Sequence, residues 1–233
     1  MLGTIVNMAA IIVGALLGKG VGKLLKADLQ QYIMQAIGLG VLLVGFKMAL
    51  GTENIIVVVI SLMLGVIVGE LAGIEDRLAG MGAKLEGFFA NGAGEGTFVK
   101  GFVSASLLYC VGAMAIMGSL ESGLTGNHII LYTKSLLDGA TAIILASSLG
   151  LGVAFSALAV FVYQGSLTLL AKWIGVYLTE PVIVEMSAVG GLLIFAIGLD
   201  MLGIKKLRVG NLLPAIFVAL FVMLFFDQLG IKI

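Results

Sequence analysis

The sequence predicts an all-α, polytopic membrane protein of about eight transmembrane helices, and three observations support this fold class. Of the 233 residues, 61% are hydrophobic and 11% are charged, whereas soluble domains average roughly 45–50% and 25%. Apolar runs of about 20 residues, each long enough to cross a hydrocarbon core as a helix, recur along nearly the whole chain. The runs are continuous rather than alternating, which favours helices over the strands of a β-barrel.

Eight apolar runs define the expected spans in chain order. They lie at residues 3–24, 30–50, 54–73, 98–120, 128–148, 152–177, 181–202 and 209–228. In the first run the positive charges follow the apolar residues, the reverse of a secretory signal peptide, so we expect this run to remain as a span. The whole chain, residues 1–233, is expected to form a single integral membrane domain.

The one long polar interval, at about residues 74–92, separates the third and fourth spans. Its apolar residues Ile74, Leu78, Met81 and Leu85 recur at helical spacing between charged residues. This pattern predicts an amphipathic helix that lies in the membrane interface.

Glycines recur at every fourth residue in two of the spans. The two sets are Gly14, Gly18 and Gly22, and Gly65, Gly69 and Gly73. Small residues at this spacing let neighbouring helix backbones approach closely. Ordinary helix packing explains them, and a pore-lining or gating role is the alternative.

The two ends of the chain resemble each other at one ungapped offset. "LLGKGVGKLL" (16–25) aligns with "LLAKWIGVYL" (169–178), and "GLGVLLVGFKM" (38–48) aligns with "GLLIFAIGLDM" (191–201). We interpret this as a duplication, with repeat 1 at about 1–73 and repeat 2 at about 150–228 on either side of a central helix pair at about 98–148. Because five spans separate the copies, the repeats are inverted, as in many secondary transporters.

The distribution of lysine and arginine predicts the topology. Eight crossings put nine basic residues on one side and three, Lys47, Lys172 and Lys232, on the other. Cytoplasmic loops attract basic residues, so the larger set is expected in the cytoplasm of a bacterial inner membrane with both termini outside. The net charge is zero, which gives no basic field for nucleic acid.

Lys134 and Asp138 are two ionisable residues within the fifth span. In a helix from His128 to Ser148, Asp138 lies roughly 15 Å from either end, with Lys134 one turn away on the same face. A charge at this depth costs about 2.5–3.5 kcal/mol to insert, and pairing lowers this cost without making burial favourable. The pair therefore indicates either a transport site, with Asp138 accepting a proton or cation, or a structural ion pair.

Other polar residues could line the same cavity. The fourth and fifth spans contribute hydroxyl groups and one carboxylate: Tyr109, Ser119, Glu121, Ser135 and Thr141. Asn7 and Gln164 are amides within the first and sixth spans, where they would serve as interhelical hydrogen-bond partners or as ligands. Glu121 and Glu185 lie near the outer ends of their spans, as exposed end carboxylates or as groups that attract cations at an entrance.

Catalysis has little support in the sequence. His128 is the single histidine and Cys110 the single cysteine, so neither a histidine metal pair nor an internal disulfide can form. No glycine-rich phosphate loop occurs in a strand–turn–helix setting. We therefore expect no enzyme activity, no cofactor and no bound metal.

Two stretches resemble a known family. "SLLYCVGAMAIMGSLESGL" with "LYTKSLLDGATAIILASSLGLGV", and the late "GLLIFAIGLDMLGIKKLRVGNLLPA", are similar to the YdfK or YqgA type of bacterial inner-membrane protein. The resemblance covers nearly the whole chain. It implies a polytopic inner-membrane protein and a role in transport, and it carries no binding residues, since the substrate of that family is not established.

The expected function is that of a secondary transporter for a small solute or ion. One alternative is an ion channel, in which the glycine faces pack subunits of a homo-oligomer around a pore. Another is a structural or assembly protein, in which the charged pair fastens helices together. The expected partners are membrane lipid and the transported solute.

Overall fold

The computed structural model describes residues 1–22, 27–77, 80, 97–110 and 113–228, which form helices joined by short connections. In chain order these are α1 (Leu2–Gly22), α2 (Ala27–Ala49), α3 (Ile55–Ala72), α4 (Thr97–Cys110), α5 (Ala113–Leu124), α6 (Ile129–Leu149), α7 (Gly152–Ile174), α8 (Glu180–Met201), α9 (Val209–Leu212) and α10 (Pro214–Gln228). No strand occurs within these ranges. The expected all-α class is confirmed.

Among the described residues, seven helical segments are long and apolar enough to cross a membrane, and a bent pair provides a further candidate. α9 and α10 together make one of the seven, Val209–Gln228. The break between them falls at Pro214, which has no N–H to continue the helical hydrogen bonds. The predicted polytopic architecture of about eight spans therefore agrees with the structure.

The span expected at 98–120 consists of two helices. The directions of α4 and α5 differ by 59°, a change that the sequence analysis did not predict. The hydropathy of the chain does not change across residues 110–113, and an apolar run therefore gives no signal of a bend.

The bent pair runs alongside α7 from one end to the other. Gly152, at the start of α7, lies against the backbone of Phe98 in α4, and Gly123 in α5 lies against Thr168 and Ala171 near the end of α7. α4 and α5 thus follow one another along α7, a candidate membrane span, and run in the same direction as α7. This geometry favours one bent span over a loop that returns to its starting side.

The connections gather at two ends of the bundle. Met1 lies near Gly165, and Glu185 near the start of α8 contacts the α2–α3 connection. We call this end, with the α5–α6 and α7–α8 connections, the Met1 face. The opposite end, with the α6–α7 and α8–α9 connections and the start of α4, is the Gly150 face, where Lys100 and Asp200 form an ion pair of 2.9 Å.

α3 shows how the local sequence sets helix ends. The Asn54 side chain accepts hydrogen bonds from the backbone N–H groups of Ile56 and Val57 and so caps the first turn. At the other end Gly73 takes the left-handed conformation, with φ of 59°, and closes the helix. Gly73 thus ends its helix, whereas Gly65 and Gly69 pack against Ala215 and Asn211.

Glycines also set the contact between α1 and α6. A methyl group on Gly14, Gly18 or Gly22 would collide with a backbone carbonyl oxygen of Gly139, Ile143 or Ser147 respectively. These contacts advance in the same direction on both helices, so α1 and α6 are parallel. The close approach brings the first turns of α1 beside the charged residues of α6.

Helices that correspond at the repeat offset pack against each other in opposite directions. In α2 and α8, Gly38 contacts Leu202 whereas Gly45 contacts Gly191. In α3 and the α9–α10 span, Gly65 contacts Ala215 and Gly69 contacts Asn211. Antiparallel counterparts are what an inverted repeat requires. The repeat itself, with bounds at about 1–73 and 150–228, stays a prediction.

α8 is the most enclosed of these spans: 72% of the residues in its most apolar 18-residue stretch are buried. The surrounding helices expose leucine, valine and isoleucine side chains, among them Leu39, Leu71 and Leu136, to the surrounding lipid. Of the amphipathic helix predicted at 74–92, residues 74–77 and 80 are helical and the others lie outside the described residues, as do Lys23, Lys26 and Lys84 of the basic set.

Candidate functional site: a buried polar cluster

Lys134 and Asp138 form an ion pair inside the bundle. Lys134 Nζ donates to Asp138 Oδ2 at 2.5 Å, as expected from residues one turn apart on α6. The residues are only 5% and 7% exposed. Two charges are therefore held in a region from which most water is excluded.

Asn7 and Gln164 meet this pair from two other helices. The Asn7 amide donates to Asp138 Oδ2 at 3.0 Å and to Gln164 Oε1 at 3.3 Å. Both amides are fully buried. The contacts join α1, α6 and α7 at one point, although nothing in the sequence relates residues so far apart along the chain.

Tyr109 completes what we call the polar cluster: Asn7, Tyr109, Lys134, Asp138 and Gln164. Its ring centroid lies 5.8 Å from Lys134 Nζ, within the range of a cation–π contact. The aromatic face and the Asp138 carboxylate thus contact the same ammonium group.

Several polar atoms in and around the cluster have no hydrogen-bond partner among the described residues. Within it these are Asn7 Oδ1, Gln164 Nε2 and the Tyr109 hydroxyl. The hydroxyls of Thr4, Ser119 and Thr168 share this property. Buried polar groups are normally satisfied, and each exception calls for an explanation such as a water or an ion.

Three unpartnered hydroxyls lie on the Met1 side of the cluster, whereas those of Ser106 on α4 and Ser148 on α6 lie on the Gly150 side. Thr4 precedes Asn7 by about one turn toward Met1, and Thr168 follows Gln164 by one turn toward the α7–α8 connection. Ser119 lies one turn before Gly123, which packs on Thr168. These side chains extend the polar region toward the Met1 face.

The opposite half of the same helices is mostly apolar. The buried residues between the cluster and the Gly150 face include Ile11, Ala15, Ala142, Leu145, Leu149, Val153 and Ala157. The close α1–α6 approach at Gly18 and Gly22 lies in this half. A few buried hydroxyls, those of Ser106, Ser148 and Ser156, occur among these apolar residues.

Four predicted site residues do not join the cluster. The hydroxyls of Ser135 and Thr141 donate to carbonyls of their own helix, at Leu131 and Leu137. Thr141 thus bonds to its own backbone although it lies on the same helix face as Lys134. Glu121 lies near the surface and accepts a hydrogen bond from Asn127 at 2.7 Å. Ser119 is buried, and its hydroxyl has no hydrogen-bond partner among the described residues.

Glu185 differs most from its expected position. It is 1% exposed, so it is not an exposed end carboxylate. One carboxylate oxygen accepts the backbone N–H groups of Glu53 and Asn54 at 2.8 and 3.0 Å, and the other accepts the Thr52 hydroxyl at 2.6 Å. The described lysines and arginines form no ion pair with it. Its carboxylate therefore holds the α2–α3 connection through neutral donors.

A comparable contact at the Gly150 face was not anticipated from the sequence. Asn211 accepts the Glu75 backbone N–H at 2.7 Å and donates to Glu70 at 2.5 Å, while Glu75 accepts the Gly210 N–H at 2.6 Å. The only sequence signal is the occurrence of an amide and two carboxylates at span ends, which is common on exposed loops.

The polar cluster has the composition of a cation site. It presents carboxylate, amide and hydroxyl oxygens, the ligands that hard cations prefer. Within the described ranges, no group of three or more histidine, cysteine, aspartate or glutamate side chains is arranged to hold a metal ion.

Comparison with known proteins gives a family and two relatives. The chain matches the family described as "Protein of unknown function (DUF554)" over residues 2–224. It is similar to "Uncharacterized membrane protein YdfK" of Bacillus subtilis (strain 168), with 34% identity and 100% of both chains covered. It is also similar to "Uncharacterized protein YqgA" of Escherichia coli (strain K12), with 31% identity and 94% of both chains covered. No solved structure matches it significantly.

Proposed function

Because the chain belongs to the DUF554 family, whose description states no function, we propose a role from the polar cluster. The protein acts as a secondary transporter that moves a small solute or ion across the bacterial inner membrane. Asp138 is the ion-binding group, and Lys134, Asn7, Gln164 and Tyr109 form its surroundings.

The observation that carries this proposal is a buried carboxylate surrounded by polar atoms without partners. If the ion pair only held helices together, a buried network in which every polar group had a hydrogen-bond partner would be the more stable arrangement. Among the described residues, however, Asn7 Oδ1 and the Tyr109 hydroxyl beside it have no partner. Groups in this condition gain partners when an ion or hydrated solute enters. A transport site explains their retention.

The placement of the cluster supports a transporter over an open pore. It lies among α1, α6 and α7, where its side chains are almost fully buried, with mostly apolar residues packed between it and the Gly150 face. Access from a single side at a time is what a secondary transporter requires. The antiparallel packing of α2 with α8 and of α3 with α10 provides two halves that can exchange roles.

The channel alternative relied on glycine faces for packing between subunits. Gly14, Gly18 and Gly22 are used within the chain, against α6, and Gly65 and Gly69 against the α9–α10 span. These faces are therefore not free to pack a second copy. The structural alternative is separated from transport by the following experiment.

The test is reconstitution of the purified protein into liposomes with a screen of cations, anions and amino acids. Replacing Asp138→Asn removes the charge while keeping the shape. Since a charge-assisted hydrogen bond contributes about 1.5–3 kcal/mol, we expect the flux of the identified solute to fall about ten-fold or more.

Asp28→Asn is the matched control, because Asp28 lies exposed at the start of α2, and it should leave the flux unchanged. Both variants must reach the membrane at the wild-type level. If Asp138→Asn with Lys134→Met folds and transports like the wild type, the pair is structural and the proposal fails.

A further inference from the structure

The charge of the polar cluster restricts what can bind there. The cluster holds one ammonium and one carboxylate, on Lys134 and Asp138, so its net charge is zero. The sum would also be zero if both groups were neutral. A lone cation or a lone anion that enters would therefore leave one buried charge without a partner, which is strongly unfavourable. A polar solute whose own charges cancel leaves no such charge.

The polar atoms beside each charged group can bond to a group of the opposite charge. Asn7 donates through Nδ2 to Asp138 Oδ2 at 3.0 Å, so its Oδ1, an acceptor, is the atom without a partner among the described residues. An ammonium bound to Asp138 would donate to this oxygen. Tyr109 lies beside Lys134, with its ring centroid 5.8 Å from Nζ. The Tyr109 hydroxyl also lacks a partner in the described helices, and it can donate to a carboxylate bound to Lys134.

Gln164 provides a second unpartnered donor. Its Oε1 accepts a hydrogen bond from Asn7 at 3.3 Å, so its Nε2 is the atom without a partner within the described ranges. Asn7 and Gln164 are fully buried and Tyr109 is 1% exposed, and buried polar groups normally have partners. One acceptor and two donors thus surround a pair of opposite charges. This set is complementary to a ligand that carries both an ammonium and a carboxylate.

We infer that the polar cluster binds the zwitterion of a small α-amino acid, with the ligand ammonium at Asp138 and the ligand carboxylate at Lys134. This inference rests on the proposed transport function and names its substrate class. Asn7 Oδ1 accepts a further hydrogen bond from the ligand ammonium. Gln164 Nε2 and the Tyr109 hydroxyl donate to the ligand carboxylate. The net charge of the cluster is zero before and after binding.

The distance between the two charged side chains favours an α-amino acid over longer zwitterions. Lys134 Nζ and Asp138 Oδ2 are in direct contact at 2.5 Å, so binding replaces one buried ion pair with two. The flexible lysine stem allows the ammonium to move away from the carboxylate. An α-amino acid carries both charged groups on the same carbon atom and therefore requires the smallest separation. A zwitterion such as 6-aminohexanoate, whose charges lie at the two ends of a chain, requires a larger one.

Uncharged hydroxyls lie on both sides of the cluster. Those of Thr4, Ser119 and Thr168 lie toward the Met1 face, and those of Ser106 and Ser148 lie toward the Gly150 face. None of the five has a hydrogen-bond partner in the part of the chain that the structure describes. A hydroxyl donates to a carboxylate and accepts from an ammonium. These groups can therefore bond to either end of a zwitterion as it passes.

The first test measures binding to the purified full-length protein in detergent, as a rise in unfolding temperature. The probes are glycine, L-alanine and L-serine, because a ligand that binds the folded form stabilises it. Methylammonium and acetate each carry one end of glycine, and acetamide is an uncharged molecule of similar size. At equal ionic strength we expect each of these three to bind about ten-fold or more weakly than the best amino acid. 6-Aminohexanoate should also bind more weakly.

The same measurement can contradict the inference without any variant. Equal stabilisation by methylammonium or by acetate would show that one charge is sufficient for binding. Equal stabilisation by acetamide would show that the cluster recognises neutral amides. No stabilisation by any of the three amino acids would overturn the inference as well.

Single variants of the ion pair assign the two ends of the ligand. Lys134→Met leaves the Asp138 carboxylate, so the affinity for methylammonium relative to glycine should rise about ten-fold or more. Asp138→Asn leaves the Lys134 ammonium, and the preference should shift by a similar factor toward acetate. Each ratio compares two ligands on one variant, so a loss of stability does not produce it. Unchanged ratios in both variants would refute the assignment of the two ends.

A double variant covers the case in which a single variant does not fold. Asp138→Asn with Lys134→Met leaves no unpaired charge, so it should fold, and it should lose affinity for the bound amino acid about ten-fold or more. Lys172→Met, at the exposed end of α7, is the control and should bind like the wild type. Wild-type affinity in the double variant would place the amino acid elsewhere.

Uptake of the bound amino acid, radioactively labelled, into liposomes separates this inference from the function on which it rests. Saturable uptake that is lost in the double variant supports both. Flux of a single ion or of a neutral solute, without amino-acid binding, would support transport and refute the zwitterion site. Binding that depends on Lys134 and Asp138 without flux of any solute would refute transport and support the ligand class.

Discussion

At the scale of single residues, local hydrogen bonds decide which polar groups meet. Lys134 and Asp138 are four residues apart and pair, whereas Thr141, three residues beyond Asp138, bonds to its own backbone at Leu137. Lys134 and Thr141 are seven residues apart, only about 20° around a helix of 3.6 residues per turn, so position on the helix face does not distinguish them.

The burial of Glu185 also shows a role that its position near a span end did not predict. Glu185 satisfies two backbone N–H groups and one hydroxyl in a single carboxylate. Removing it leaves these donors in a region that is not fully hydrated, at a cost of about 1–3 kcal/mol for each buried group.

We therefore predict that Glu185→Ala lowers the stability of the protein by roughly 2–4 kcal/mol, since only part of the lost bonding is replaced by water. The measurement is thermal unfolding in detergent, together with protease cleavage at the α2–α3 connection. Glu180→Ala, exposed at the start of the same helix, should have no effect. Equal stability of the two variants would show that the Glu185 contacts contribute little.

At the scale of helices, glycines determine how closely the spans approach. α1 and α6 touch through backbone at Gly14, Gly18 and Gly22. This contact places Asn7 within hydrogen-bonding distance of Asp138. The glycines at every fourth residue of α1, which the sequence indicates as packing residues, thus also bring the residues of the site together.

Gly18→Ala tests this contact, because its new methyl group would meet the backbone of Ile143. We expect a loss of stability of about 1–3 kcal/mol from overpacking. In addition, flux should decrease because α1 is displaced from α6.

The control for that variant is Gly20→Ala, two residues further along α1, where no atom lies within 4 Å of the added carbon. It should unfold at the wild-type temperature or slightly above, since alanine favours the helix. Indistinguishable behaviour of the two variants would mean that the α1–α6 distance adjusts freely.

At the scale of the whole molecule, two carboxylate contacts tie the first three helices to the last three at opposite faces. Glu185 binds the α2–α3 connection at the Met1 face, and Asn211 binds Glu70 and Glu75 at the Gly150 face. Hydrogen bonds thus join the first three helices to the last three near both faces.

The number and direction of the spans can be measured with single cysteines in a Cys110→Ala background. We predict that Leu50→Cys and Thr125→Cys react with an impermeant maleimide from the same side of the membrane and Lys205→Cys from the other. Positively charged connections favour the cytoplasm, so Lys205→Cys should be the one labelled in inverted vesicles. Thr125→Cys labelled together with Lys205→Cys would mean that α4 and α5 return without crossing.

The sequence by itself determined the fold class, because a long, continuous apolar run within a membrane can satisfy its backbone hydrogen bonds as a helix. It also determined that Lys134 and Asp138 pair, since that contact lies within one helix turn. It could not place the bend between α4 and α5, where hydropathy is unchanged.

Only the tertiary structure decided which distant polar groups surround the pair. Asn7 and Gln164 meet Asp138 because α1 approaches α6 through glycines and α7 packs on both, and these contacts depend on interhelical distance and rotation. The burial of Glu185 likewise depends on where the α2–α3 connection folds. A linear sequence fixes the residues of a helix face, whereas the partner of that face follows from packing in three dimensions.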